Sequence, residues 1–362
     1  MTTTSERLSE APARDASKRV SQSVFDGSRL RVVLLVDVFD GAQQQFLEAY
    51  EQLCNQVASV PGHVSDQLCQ SIENPSQWLI TSEWESAPPF LTWVNSEEHV
   101  RMVEPLHSCV RNTRSLRFHI VRETGRAYET DAPARGRLQT EVRIGDGVIR
   151  HALTFTVKPG TEDKVAKLLG DYAAPEPRVD DSTRLLRTSL FMHGNRVVRA
   201  IEVRGDLLAA LRHVSRSPEV RAVEEAINPY LEQDRDLNDQ ESARLFFTRA
   251  ALPAVHHVMV DDRPEGTRRA LYYPAKAGRG MKLAELLAKA DSAATDDPSS
   301  QVLRSTVFER EDVVVRLVDL AAEGADVDPL PRDPAQAAEL RELLAGETAR
   351  MELVTDRRSP EV

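Results

Sequence analysis

Three stretches of the chain repeat one order of apolar and polar positions: an apolar run, a glycine, then apolar residues at helical spacing. The runs are residues 31–38, 149–157 and 269–273, followed by Gly41, Gly160 and Gly278. Five residues past each glycine stands Phe46, Val165 or Leu283. From there an apolar face continues through Tyr50, Leu53 and Val57, through Leu168, Leu169 and Tyr172, and through Leu286, Leu287 and Ala290. Such spacing makes one apolar stripe per helix, which has to cover a sheet.

Two strands follow each helix. Residues 186–191 align without a gap on 303–308, and 197–203 on 314–320, with 78–84 in the same place in the first stretch. His193, Gly194 and Asn195 suit the tight reversal between two such strands. A second helix around Val100 resembles one around Val220, and closing strands are expected at 116–121, 245–248 and 351–355. The order β-α-β-β-α-β predicts an α+β chain of three tandem ferredoxin-like repeats, of the dimeric α+β barrel type. The expected domains are a disordered tail (1–27), three repeats (28–124, 148–254 and 267–362), and linkers at 125–147 and 255–266. One such unit leaves a sheet face bare. Pairing the first two copies would close a barrel around an apolar pocket and leave the third free to form a homodimer.

Composition narrows the partners. A net charge of −11 argues against nucleic acid, which prefers a basic stripe. No run approaches the apolar length of a membrane span, and the N-terminus lacks the apolar core of a secretory signal, so a cytoplasmic protein is expected. Cys54, Cys69 and Cys109 are irregularly spaced, with no CxxC pair, which supports neither a disulfide framework nor a zinc site. P-loop, GxGxxG, GxSxG and HExxH motifs are absent from the sequence.

Two segments resemble known families. The first, with Ser82-Glu83-Trp84-Glu85, Phe90, Trp93 and His99, is similar to antibiotic biosynthesis monooxygenase domains. The second, with Arg150-His151-Ala152-Leu153-Thr154-Phe155, Val157-Lys158-Pro159-Gly160 and Asn228-Pro229-Tyr230-Leu231-Glu232-Gln233-Asp234-Arg235-Asp236, resembles the SchA/CurD-like domain of aromatic polyketide and spore-pigment clusters. The resemblance spans about residues 28–260. It implies oxidation of a polycyclic aromatic polyketide by O₂ with no cofactor, neither metal nor flavin. The alternatives are a non-oxidative cyclase or accessory protein, and a scaffold for polyketide enzymes. The first family carries Asn four residues ahead of the strand tryptophan. Here Ile80 stands there, and Arg199 holds the matching place in the second segment.

The chemistry needs an apolar pocket, a base or hydrogen-bond partner for the phenol, and exclusion of water. Trp84 and Trp93 could stack on a flat substrate. His99 and His151 are candidate bases, since an imidazole titrates near neutrality. Arg199 would favour a phenolate, and Asn228 and Tyr230 could hydrogen-bond the substrate. Each has a plainer reading: core packing for the tryptophans, a hydrogen-bonded structural role for His151, and a helix stop with local ion pairs for residues 228–236. Pro105 is expected to break the helix between His99 and His107, and His63 to be solvated. His256 and His257 alternate faces and offer no shared metal. Glu83, Glu202 and Asp319 recur at one strand position, which suggests pairing with arginines.

Overall fold

The computed structural model describes residues 20–123, 145–260 and 266–359. They separate into two compact units, one of residues 23–123 and one of residues 20–22 with 145–359. In chain order the elements begin with β1 (Val20–Ser23), β2 (Leu30–Val38), α1 (Gln43–Val57), β3 (His63–Gln70) and β4 (Gln77–Trp84). They continue with α2 (Ala87–Val94), α3 (Glu97–His107) and β5 (Val110–His119).

The smaller unit is a ferredoxin-like α+β domain with the antiparallel strand order β3-β4-β2-β5. Phe46 of α1 packs on Trp78, and Phe90 of α2 packs on Trp84, so these helices cover one face of the sheet. Side chains alternate along a strand, and the opposite face carries Leu35 and Phe118, 42% and 50% exposed. Gly41 turns the chain into α1 with φ of 83°, a conformation that favours glycine.

The larger unit continues with β6 (Val148–Thr156), α4 (Glu162–Gly170), β7 (Arg184–His193), β8 (Arg196–Arg204), α5 (Leu207–Arg216), α6 (Pro218–Ile227), α7 (Gln240–Ala250) and β9 (Ala251–Met259). Then come β10 (Thr267–Pro274), α8 (Gly280–Asp296), β11 (Val302–Arg310), β12 (Val313–Leu320), α9 (Pro334–Leu343) and β13 (Ala349–Arg358). Eight strands close a barrel in the order β9-β11-β12-β10-β13-β7-β8-β6, with β6 paired back onto β9 and β1 added beside β9. The closing strands change partners midway. Residues 251–253 pair with β6 and 254–259 with β11, while 349–351 pair with β10 and 352–358 with β7. A cluster drawn only from strands of both segments, including Ala152, Phe191, Ala200, Phe308 and Leu317, fills the interior, as expected of a barrel this small.

The expected pairing of the first two segments is therefore corrected: the second and third close the barrel. Their strands carry the reason. β11 and β12 are buried along almost their whole length, with apolar residues on both faces, whereas β3 and β5 are mostly exposed. The closing strand expected at 245–248 is part of α7, whose N-terminus is capped by the Asp239 side chain accepting from the Glu241 N–H at 3.0 Å. A run as short as Leu245-Phe246-Phe247-Thr248 is ambiguous between helix and strand, and here Phe246 belongs to the helical core. The strand itself begins at Ala251 and takes up residues 255–259 of the expected linker. Residues 20–23, assigned to the tail, form β1; the rest of that assignment up to residue 19, and most of the 125–147 linker, lie outside the described residues. Pro105 sits in the last turn of α3 without ending it. Among the described residues no helix is long and apolar enough to cross a membrane.

Candidate functional site

The seven residues singled out from the sequence fall into two groups, one in each unit. In the smaller unit, β4 and α2 bring aromatic side chains together behind the sheet. Trp84 is fully buried, its indole N–H donating to the Ser82 hydroxyl at 3.0 Å. Its ring stacks on Trp93 with centroids 5.5 Å apart and meets Phe90 and His63 edge-on. His63 thus has a buried side chain, 6% exposed, rather than a solvated one. Trp93 starts from a helix whose first turn holds two prolines, and it receives His99 edge-on at 4.5 Å. His99 is placed by the start of α3, where Ser96 caps its backbone N–H at 3.2 Å. The indole nitrogens of Trp93 and of Trp78 are buried without a hydrogen-bond acceptor, and of the two only Trp93 stands in the cluster with Trp84 and His99. A buried donor with nothing to donate to is uncommon and calls for an explanation.

In the larger unit, Arg199 on β8 faces the helices, on the same side as Leu153 of β6. Its Nη1 donates to Glu224 of α6 at 2.9 Å. The other carboxylate oxygen of Glu224 accepts from Arg235 at 2.8 Å, and Arg235 donates to the Asn228 amide oxygen at 2.7 Å. Asn228 therefore meets Arg199 through two intermediates, Arg235, from the run expected to form ion pairs, and Glu224, which was not singled out from the sequence. The charged run 234–236 was the visible signal for this. Burial works against the Arg199 charge, but Glu224 and Tyr172 hold its pKa above the ordinary arginine value. Burial likewise opposes the Glu224 charge, and the two guanidinium groups nonetheless keep its pKa below the usual range. Tyr230 stands in a 3₁₀ turn (Asn228–Tyr230) with the Lys164 ammonium 4.6 Å from its ring centre, and packs against the helical core. His151 is half-buried on β6, paired with Ile201 and Pro253 across the sheet.

The barrel interior holds a second charged system. Arg268 donates to Asp319 at 2.6 Å, to Glu202 at 2.7 Å and to the Ser189 hydroxyl at 2.9 Å. Arg187 forks onto Asp356 at 2.7 and 2.6 Å. All but the Arg268–Asp319 pair cross between the second and third segments. Glu83 in the smaller unit is bridged by Arg29 and Arg31, so each of the three recurring acids has arginine partners. His257 is buried with Nδ1 2.9 Å from the Thr306 hydroxyl, and burial, with Arg150 nearby, holds its pKa well below the ordinary value. Among the described residues no group of three or more His, Cys, Asp or Glu is placed to hold a metal ion.

Comparison with known proteins follows the same division. The antibiotic biosynthesis monooxygenase family profile matches residues 29–105, and that of the SchA/CurD like domain matches 148–260. A 42.8 kDa protein in the whiE locus of Streptomyces coelicolor is 57% identical, over 99% of this chain and 95% of that protein. The polyketide synthase CurD of Streptomyces cyaneus is 63% identical over 87% of this chain and 84% of its own length. Among solved structures, the cofactor-independent oxygenase SnoaB of Streptomyces nogalater aligns with 28% of this chain and 99% of its own, at 16% identity and a TM-score of 0.26.

Proposed function

The chain belongs to the SchA/CurD-like family, and from that premise we propose that it oxidises a polycyclic aromatic polyketide intermediate with O₂, without metal or flavin, in the smaller unit. The observation that carries this reading is the buried Trp93 indole N–H with no acceptor, set between Trp84 and His99. A phenolate or peroxide oxygen is the acceptor that such a donor would stabilise, and excluding water from the site would strengthen the bond.

The chemistry balances with O₂ alone. The phenol loses a proton to a base, for which His99 is the candidate, and the phenolate passes an electron to O₂. For an anthrone reacting as its phenolic tautomer, the radical pair combines at the ring CH opposite the phenolate oxygen, the peroxide takes back the proton, and loss of water from the hydroperoxide leaves a second carbonyl: over the whole reaction one anthrone CH₂ and one O₂ give one C=O and one H₂O. Trp84, closed in by three other rings, positions Trp93 rather than offering its own face.

Oxygen uptake by metal-stripped full-length protein, given a panel of anthrones, tests the reading. Saturable uptake with a quinone product is expected, and Trp93→Phe, which keeps the ring but removes the N–H, should lower kcat by roughly a hundredfold. Unchanged turnover in that variant would overturn the assignment. Tight binding with no uptake would favour a non-oxidative accessory or cyclase, a reading supported by Ile80 standing where related oxygenases carry Asn.

We further propose that the three segments are copies of one unit. Closure of the third segment's sheet within the barrel moves the expected self-association to the bare sheet face of the smaller unit, around Leu35 and Phe118.

A further inference from the structure

The larger unit has a solvent-open cleft bounded by β6, β7, β8, α5, residues 172–177 and the end of β13. Leu153, Leu185, Ile201, Ala210 and Val214 make its wall mainly apolar, and Tyr172 adds a flat ring. The charged residues lining it are all arginines. Three of the four are committed elsewhere: Arg187 and Arg358 to Asp356, and Arg357 to the backbone carbonyls of Gly170 and Tyr172. Arg199 differs. Its Nη1 is bonded to Glu224, but its Nη2 is buried and bonded to nothing.

The charges around Arg199 also fail to cancel. Glu224 is shared between Arg199 and Arg235, so one carboxylate faces two guanidinium groups and the trio keeps one excess positive charge. A buried excess charge with an unused donor, on a residue lining an apolar cleft, is suited to an anion carried on an apolar body. We propose that this cleft binds a flat apolar molecule bearing one ionised oxygen, a carboxylate, enolate or phenolate, which accepts from Arg199 Nη2. Arg235 and Asn228 act as positioning residues: Asn228 accepts from Arg235 and orients it toward Glu224, which in turn holds Arg199. The site lies in the unit that the oxygenase reading leaves unused, so either can fail without the other.

Full-length protein titrated with 2-naphthoate, and separately with the isosteric neutral 2-naphthamide, tests the site by calorimetry. Naphthoate should bind roughly tenfold or more tighter than the amide, as a hydrogen bond to a charged group implies. Arg199→Met should abolish that preference while leaving Glu224 paired with Arg235. Val214→Trp, which fills the cleft without changing charge, should weaken both probes at least about tenfold. Equal binding of the two probes, a preference that survives Arg199→Met, binding indifferent to Val214→Trp, or no binding to the wild type would each overturn the proposal.

Discussion

In β11 and β12 the side chains facing the helices and those facing the barrel interior are both buried, whereas most of β3 and β5 in the smaller unit is exposed. The strand order is the same in both places, with each first strand lying between the closing strand and the third strand. What differs is whether the second sheet face has a cover, and the difference reaches the charges. Glu83 is met by Arg29 and Arg31, both more than a third exposed, while Asp319 and Glu202 are met by Arg268 at 4% exposure. Around Glu83 the carboxylate is buried but its arginines reach solvent; covering the sheet buries the arginine as well and makes a network that tolerates no missing partner.

Removing the central arginine should therefore be the most damaging change. Arg268→Met leaves Asp319 and Glu202 without their shared partner and should cost the larger unit roughly 3–5 kcal/mol. Arg31→Met removes a partly exposed arginine and leaves Glu83 paired with Arg29, and should cost only about 1 kcal/mol. Trp78, Trp84 and Trp93 all lie in the smaller unit, so tryptophan fluorescence follows that unit while far-UV circular dichroism follows both. In urea, Arg268→Met should lower the dichroism midpoint and leave the fluorescence midpoint in place. Equal losses in the two signals would contradict the separation of the units.

Much of this arrangement could be read from the residues. Gly41, Gly160 and Gly278, picked out as turns, all have positive φ, and Phe46, Val165 and Leu283, picked out as first helix contacts, are all fully buried. Helical and strand periods are local and survive in the sequence. Which segment covers which sheet is not local, and the visible clue lay in strand polarity rather than in order along the chain: 302–310 and 313–320 carry large apolar residues on both faces, while in 63–70 and 110–119 the large apolar residues keep almost entirely to one face. The candidate site was legible only in part. Trp93 and His99 share a local stretch, but the link from Arg199 to Asn228 runs through Glu224 and Arg235, and nothing in spacing alone connects a strand arginine to a carboxylate 25 residues on.

A buried carboxyl also stands on the helix side of the barrel, at Glu309 on β11. Its Oε2 is buried with no partner, and burial, with Glu311 adding to it, pushes its pKa up to about 8. The unfolded chain releases this proton near the ordinary glutamate value, so the folded state holds it over a window from about pH 4.5 to 8. Stability should fall as pH rises through that window. Glu309→Gln removes the titration and should raise the stability of the larger unit by a few kcal/mol at pH 8, with little gain at pH 5. Urea midpoints at the two pH values check this, and an equal gain at both would show that ionisation of Glu309 is not the cause.

The bare face of the smaller unit should show the smallest effect on stability and the clearest effect on assembly. Leu35→Asp combined with Phe118→Asp places charge where the native side chains are already about half exposed, so the fluorescence midpoint should move by no more than about 0.5 kcal/mol. In the barrel, a change of the same kind at Phe191 would bury an unpaired carboxylate and rank with the loss of Arg268. Association is another matter, because exposed apolar side chains on a sheet gain most from a matching face. Light scattering should give a dimer for the wild-type chain and a monomer for the double variant. A wild-type monomer would mean that the smaller unit's sheet is stable uncovered, and that the barrel's closure serves its interior charges rather than a general need to hide this kind of face.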